Sequence, residues 1–516
     1  MAEPLVLTFD VGTQSARAVL VDKKGNIVAV NQQKYGEPYF SKKPGRAEQN
    51  PDFYYEKIIE AAKGLCAENA ELLPDIIAVT LTCIRDTVLC LDENKNPLRD
   101  VILWLDERRA DYKKQLPFIN RFLFSLVGMS ESVKIVYKAT FSNWIKQNEP
   151  EVWAKTDKYV MLPTYLNYKL TGRLVDSASN QIGHFPFNYK ERHWMNPREL
   201  TYCVCDTPKE RLCELIETGE IIGSLNDEFC EMTGIPKGLP LIATGSDKGC
   251  ETLGLSVYNP GKASVSFGTS STVQLAVSKY FEPQKFMPAY PAVPEDRYNP
   301  EIQIFRGFWL VSWFIKEFAA EERLEAQSRG CSPEEVLDEK IKDIPAGCDG
   351  LILQPYWTPG ITKPNSLGSV IGFSDFHTRL HLYRAIIEGL CLELYDSMNI
   401  MQKRSGMKIT EVFVGGGGSR SDVVCQIAAD VFGLPVKRIQ THEASSVGSS
   451  MVAFVSKGEF KDYDEAIKSM VHEKDVFTPD AKNHAVYEEL YEKAYRRLFP
   501  RLEPLYKSIL EIYKRR

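Results

Sequence analysis

The sequence predicts an α/β chain built as two domains of similar size, each a mixed sheet flanked by helices. Three observations carry this expectation. At 516 residues the chain is longer than one hydrophobic core serves. A strand, a polar Gly-Thr turn and a returning strand occur at Leu7-Thr8-Phe9-Asp10-Val11-Gly12-Thr13-Gln14-Ser15-Ala16-Arg17-Ala18-Val19-Leu20. The same pattern recurs at Ala263-Ser264-Val265-Ser266-Phe267-Gly268-Thr269-Ser270-Ser271-Thr272-Val273-Gln274-Leu275, with apolar runs marking buried strands on both sides of each turn.

In chain order, strands are expected at 5–10, 17–22, 26–31, 75–81 and 86–91. A helix is expected over 51–70, where Tyr54, Ile58, Ile59 and Ala62 recur at helical spacing. Asn50-Pro51 supplies its cap and first turn. Lys24-Gly25-Asn26 and Asn94-Lys95-Asn96-Pro97 mark hairpins. The turn-rich stretch Tyr258-Asn259-Pro260-Gly261, just before the second Gly-Thr turn, places the domain boundary at 252–262, giving domains 1–254 and 255–516. A last helix, about 484–515, is expected to pack on the second domain.

A composition of 44% hydrophobic and 26% charged residues is that of a globular protein, and a net charge of −6 excludes a global basic surface for nucleic acid. The twelve cysteines include no CxxC pair and read as reduced core thiols. Met1-Ala2-Glu3-Pro4 leads into a strand with no basic region and long apolar segment after it, so neither membrane nor secretion is expected and the cytoplasm is. His377 and His381, at helical spacing without a third ligand, read as a structural pair.

The two Gly-Thr turns point to phosphate. Gly12 lets backbone amides approach an anion, and Thr13 and Ser15 add hydroxyl donors. An acidic residue entering such a turn is explained if Asp10 holds a divalent metal, directly or through water, against phosphate oxygens. The bland alternative is a plain hairpin. A third segment, Val412-Phe413-Val414-Gly415-Gly416-Gly417-Gly418-Ser419-Arg420-Ser421, sets four glycines between a strand and a helix-like stretch, as close approach to a nucleotide requires.

These elements, in this order, make the chain resemble the FGGY family of carbohydrate kinases. One signature of that family is matched by Gly368-Ser369-Val370-Ile371-Gly372-Phe373 and, seven residues on, His381-Leu382-Tyr383-Arg384-Ala385-Ile386-Ile387-Glu388. A second is partial in Lys138-Ala139-Thr140-Phe141-Ser142-Asn143-Trp144, with Phe141 where lysine is usual. The resemblance implies two actin-like (ribonuclease H-like) domains with an interdomain cleft, a first domain holding sugar and catalytic base, and a second holding ATP. It implies magnesium arriving with the nucleotide, a small sugar or polyol as substrate, and dimerisation as a common family trait.

Site residues follow from the same resemblance. Asp247, in Thr244-Gly245-Ser246-Asp247-Lys248-Gly249, stands where the family has its base; read from sequence alone it is equally a helix N-cap. Arg85 and Asp86 resemble the Arg-Glu pair of glycerol kinases, whereas Trp104 and Asp106, in Trp104-x-Asp106-x-Arg108, resemble pentulose kinases. A charged pair suits vicinal hydroxyls and an indole suits a carbon skeleton, while a core aromatic and a structural ion pair are the alternatives. For ATP, Gly268, Thr269 and Ser270 are expected at the terminal phosphates across the cleft from Asp10, Gly12, Thr13, Ser15 and Arg17. Gly415, Gly416, Gly417, Gly418 and Ser419 are expected to hold the adenosine and its phosphates from the second domain. Glu443-Ala444-Ser445-Ser446-Val447-Gly448 resembles a family helix opening with a packing role. The stretch Trp357-Thr358-Pro359-Gly360-Ile361-Thr362-Lys363-Pro364 replaces a Gly-Glu-Arg loop common in related kinases. The expected activity is therefore ATP-dependent phosphorylation of a ketopentose such as xylulose, with glycerol or another short polyol as the alternative. A non-catalytic sugar or nucleotide sensor has no need of the base, and a mechanical ATPase has no need of the sugar signature.

Overall fold

The computed structural model describes residues 3–113, 115–360 and 362–514. Two six-stranded mixed sheets dominate it. The first comprises β1 (Leu5–Val11), β2 (Ser15–Asp22), β3 (Ile27–Lys34), β4 (Ile76–Cys83), β5 (Ile221–Ser224) and β6 (Pro240–Ile242), in the order β5-β6-β4-β1-β2-β3. The second comprises β7 (Lys262–Phe267), β8 (Ser271–Gln274), β9 (Glu301–Ile304), β10 (Glu411–Gly415), β11 (Val436–Ile439) and β12 (Glu473–Phe477), in the order β9-β8-β7-β10-β11-β12. The pattern of directions is the same in both. An antiparallel meander (β1-β2-β3, β7-β8-β9) is joined through its first strand to two parallel strands, and an antiparallel strand closes the far edge. Both Gly-Thr turns thus occupy equivalent hairpins. The expected strand at 86–91 forms as Val88–Leu91 but belongs to a separate four-stranded sheet.

All seven residues of β1 are buried, as a strand covered on both faces requires. One face is covered by α1 (Pro51–Glu68), which turns Tyr54, Ile58, Ala62 and Leu65 inward and is capped by Asn50, whose side chain accepts from the Asp52 amide at 2.9 Å. The other face is covered from far along the chain. Val6, Val19, Val21, Ala78 and Ile242 pack with Val447, Met451, Val452 and Phe454 of the helix α4 (Ala444–Ser456), beside α2 (Asp247–Gly254). The chain also returns at 289–293, where Val293 joins this cluster and the Ala292 carbonyl accepts from Ser179 Oγ at 2.6 Å. The chain's last strand in the first sheet ends at Ile242 and its first in the second begins at Lys262, yet two later segments complete the first sheet's packing.

The second sheet packs on α3 (Arg379–Ser405). The expected single helix at 484–515 is interrupted. Ala481–Leu490 runs into a π turn at Tyr491–Tyr495 and then Arg496–Lys514, with Arg515 outside the described residues. Tyr487, Tyr491 and Tyr495 anchor that run in the second core. All twelve cysteines are free. His377 and His381 each accept a backbone N–H three residues back, at Ser374 and Thr378, which fixes the start of α3. Among the described residues no helix is long and apolar enough to cross a membrane.

Candidate active site

Strand β6 ends in a tight turn whose Ser246 caps α2, its hydroxyl accepting from the Gly249 amide at 3.3 Å. The capping role therefore falls to Ser246. Asp247 becomes the first helical residue, with its side chain 27% exposed and one oxygen accepting from the Lys248 amide at 2.8 Å. Burial raises its carboxyl above the ordinary aspartate value, against the pull of Arg85 and Lys248. Arg85, just past β4, brings Nε to 3.9 Å from Asp247 Oδ1. Lys248 is tied to the protein: Nζ lies 2.6 Å from Glu251 and donates to Ser266 of β7 at 2.7 Å.

Asp10 is the penultimate residue of β1. Burial pushes its carboxyl up to about 7; Arg17 opposes this, while Glu443 and Asp247 reinforce it. Arg17 donates to Asp10 at 3.3 Å and also approaches Glu443 at 3.6 Å. Thr13 Oγ1 accepts from the indole N–H of Trp104 at 3.2 Å, so the first turn and the predicted sugar wall meet. Ser15 is different. Its buried hydroxyl pairs with Gln32 of β3 at 3.0 Å, at the base of the hairpin. Gly12 closes the turn by donating its amide N–H to the Ser15 carbonyl at 2.9 Å.

Asp86 has a left-handed backbone (φ 49°) and both its oxygens accept from His184, from the amide at 3.0 Å and Nδ1 at 2.7 Å. Burial alone depresses the imidazole; Asp86 reverses this and raises it. Asp106 requires a correction. Its side chain is fully buried and accepts from the Ala47 amide, the Arg108 amide and two guanidinium nitrogens of Arg108, at 2.7–2.8 Å. Arg108 in turn bonds Glu48 at 2.8 Å. Asp106 is a strut of the small sheet, with its acceptors already used, and it leaves the set of substrate residues.

On the other side, the turn Gly268-Thr269-Ser270 is propped by the Phe308 amide, which donates to the Gly268 carbonyl at 2.9 Å, and it leaves Thr269 exposed. The glycine run that begins at the end of β10 packs closely against the protein. A Cβ on Gly415 would lie 2.7 Å from Glu251 Oε1, one on Gly416 2.8 Å from the Phe267 carbonyl carbon, and one on Gly418 2.4 Å from the Phe308 ring. Gly416 also has φ +79°. Three of the four glycines are thus demanded by packing against protein, and only Gly417 has open space around it. Ser419 is buried and spends its hydroxyl on the Gly416 carbonyl at 2.7 Å.

Hard carboxylate oxygen in a desolvated position suits magnesium, and Asp10, with its proton affinity raised by burial and then by two neighbouring carboxylates, fits that ion. Among the described residues no three metal-ligating side chains cluster, so phosphate and water oxygens would complete the shell.

Three contributors carry no local signal, and a fourth, Glu443, carries only that of a packing helix start. Glu301 of β9 binds Arg85 through two bonds of 3.2 Å, and Tyr290 lies 5.6 Å below the same guanidinium. His184 and Glu443 complete the set. Of the loop that replaces the Gly-Glu-Arg segment, Ile361 lies outside the described residues. Its neighbours are tied to the second domain, Trp357 edge-on to Trp313 and Lys363 bonded to Glu393 at 2.8 Å.

Comparison with known proteins agrees with this architecture. Residues 5–254 match the model of the N-terminal domain of the FGGY family of carbohydrate kinases, and residues 263–457 match that of its C-terminal domain. The chain is 27% identical to a protein of Escherichia coli described as uncharacterized sugar kinase YgcE, over 95% of this chain and 94% of the relative. It is 26% identical to the xylulose kinase of Bacillus subtilis, over 94% and 95% respectively. The crystal structure of a gluconate kinase from Lactobacillus acidophilus superposes with a TM-score of 0.82 at 22% identity, covering 98% of this chain and all of that one. The chain belongs to the FGGY family of carbohydrate kinases and is a sugar-phosphorylating enzyme.

Proposed function

We propose that the protein transfers the γ-phosphoryl group of ATP to a hydroxyl of a small neutral sugar or polyol, with a ketopentose such as xylulose as first choice and glycerol or another short polyol as second. Asp247 carries the reading. It is a partly exposed carboxylate whose proton affinity is raised by burial, flanked by Arg85 and close to Asp10. In this reading Asp247 accepts the proton of the attacking hydroxyl, since burial raises the proton affinity of its carboxylate and so strengthens it as a base. Asp86, fixed by His184, accepts from a neighbouring hydroxyl, and the face of Trp104 covers the carbon skeleton. Thr13 and the turn Gly268-Thr269-Ser270 supply donors to the phosphates from opposite sheets. Gly417, the open glycine, lies toward the nucleotide, and the division into 1–254 and 255–516 assigns sugar to one side and ATP to the other. Magnesium held at Asp10 would neutralise charge on the phosphate oxygens.

The test is ATP consumption against a panel of pentuloses, polyols and aldonic acids, with parent and Asp247→Asn. The parent should turn over at least one neutral member. The variant should keep sugar binding while kcat falls by about 10²–10⁴-fold, the range general-base removal produces. An unchanged kcat in the variant overturns the assignment of the base.

A further inference from the structure

Arg85 reaches the site already engaged. Its Nη1 and Nη2 donate to the two oxygens of Glu301 at 3.2 Å each, a fork-to-fork pair that spans the two sheets, while Nε faces Asp247 at 3.9 Å. Glu301 is held from behind as well as in front. Its side chain is 4% exposed, and Gln274 of β8 donates to it; Gln274 accepts in turn from Thr252 on α2, the helix that Asp247 begins. Tyr290 lies under the guanidinium. Swinging the Glu301 carboxylate out of this enclosure would leave a buried charge without its partner, which is costly.

We propose that Glu301 sets the charge preference of the sugar pocket: by occupying both terminal nitrogens of Arg85 it withholds that guanidinium from a substrate carboxylate, so neutral ketoses and polyols are selected and aldonic acids rejected. The inference rests on the kinase reading above and deepens it. A sugar carboxylate placed within reach of Arg85 meets two protein carboxylates, Glu301 and Asp247, for one guanidinium. Like charge without compensation is how a site discriminates against a close analogue. A hydroxyl in the same place needs only the Nε side of Arg85 and a lone pair of Asp247. The distinction matters for this chain because its relatives carry names of both kinds, xylulose kinase and gluconate kinase.

The experiment compares kcat/KM for D-xylulose and D-gluconate, and their equilibrium binding by calorimetry, in the full chain and three variants. In the parent, xylulose should be preferred. In Glu301→Gln, which keeps shape but frees the guanidinium, the gluconate-to-xylulose ratio should rise at least about tenfold. In the double variant Arg85→Gln/Glu301→Gln the gain should vanish, because no unpaired cation remains. Glu301→Asp, which keeps the charge, should hold the parent's preference and serves should the glutamine variant fail to fold. A parent that prefers gluconate, an unchanged ratio in folded Glu301→Gln, or an equal rise in Glu301→Asp overturns the proposal. A parent that consumes no ATP with any panel member defeats the kinase reading instead, and the binding ratios still decide the role of Glu301.

Discussion

Asp10 shows how a residue suited to a ligand is ill suited to the protein alone. Burial and the neighbouring carboxylates Glu443 and Asp247 outweigh Arg17 and push its carboxyl from 3.8 to about 7. The sign follows from linkage. Between about pH 4 and pH 7 the unfolded chain has released this proton while the folded chain holds it, so the folded state loses stability as pH rises through that window and remains penalised above it. Asp10→Asn removes the penalty. Without magnesium, the variant should be more stable than the parent at pH 8 by about 1–3 kcal/mol, with the difference shrinking toward zero near pH 4. Denaturant unfolding with a chelator present measures this. A variant less stable than the parent at pH 8, or a difference independent of pH, contradicts it. Asp106 is the opposite kind of residue: its charge is matched by Arg108 and two backbone amides, so it serves the fold and has nothing left for a ligand.

At the scale of elements, what the sequence made legible was the periodic and the local. Strands β1 to β4, the cap of α1 and both Gly-Thr hairpins were readable because burial period and turn chemistry are written within a few residues. The run Gly415–Gly418 was readable as an element but not in everything it approaches. Glycine spells close approach without saying to what, and here Gly415, Gly416 and Gly418 approach Glu251, Phe267 and Phe308. Glu301 and His184 escaped for a different reason. Each arrives at the site through tertiary topology, from an edge strand and an irregular segment with no motif of their own, while Glu443 sits in a helix start whose sequence points to packing alone. The glycine run therefore yields a contrast. Gly416→Ala, at φ +79° and against the Phe267 backbone, should destabilise by about 1–3 kcal/mol or more. Gly417→Ala should leave the melting temperature unchanged and raise KM for ATP. If both variants affect melting and KM alike, the run is one packing unit without a nucleotide-facing member.

Across the whole molecule, the two sheets repeat one topology but do not stand alone. The first is closed on its second face by α4, which lies beyond the second sheet's parallel strands in the chain, and by Val293 of the returning segment. The Arg85–Glu301 pair and the Lys248 bond to Ser266 add polar ties at the same junction. A truncation at residue 254 would remove α4 and bare Val6, Val19, Val21, Ala78 and Ile242, each no more than 1% exposed in the full chain. Burying a valine or isoleucine side chain contributes about 1.5–3 kcal/mol, so these four together rival the total stability of an ordinary domain, about 5–15 kcal/mol. Fragment 1–254 should therefore lack a cooperative thermal transition and a native near-ultraviolet spectrum. Fusing residues 437–471 to it through a flexible linker should restore both by returning α4 to the exposed face. Cooperative melting of the unfused fragment would show that the first sheet closes its own core, and that α4 is a covering rather than a component of it.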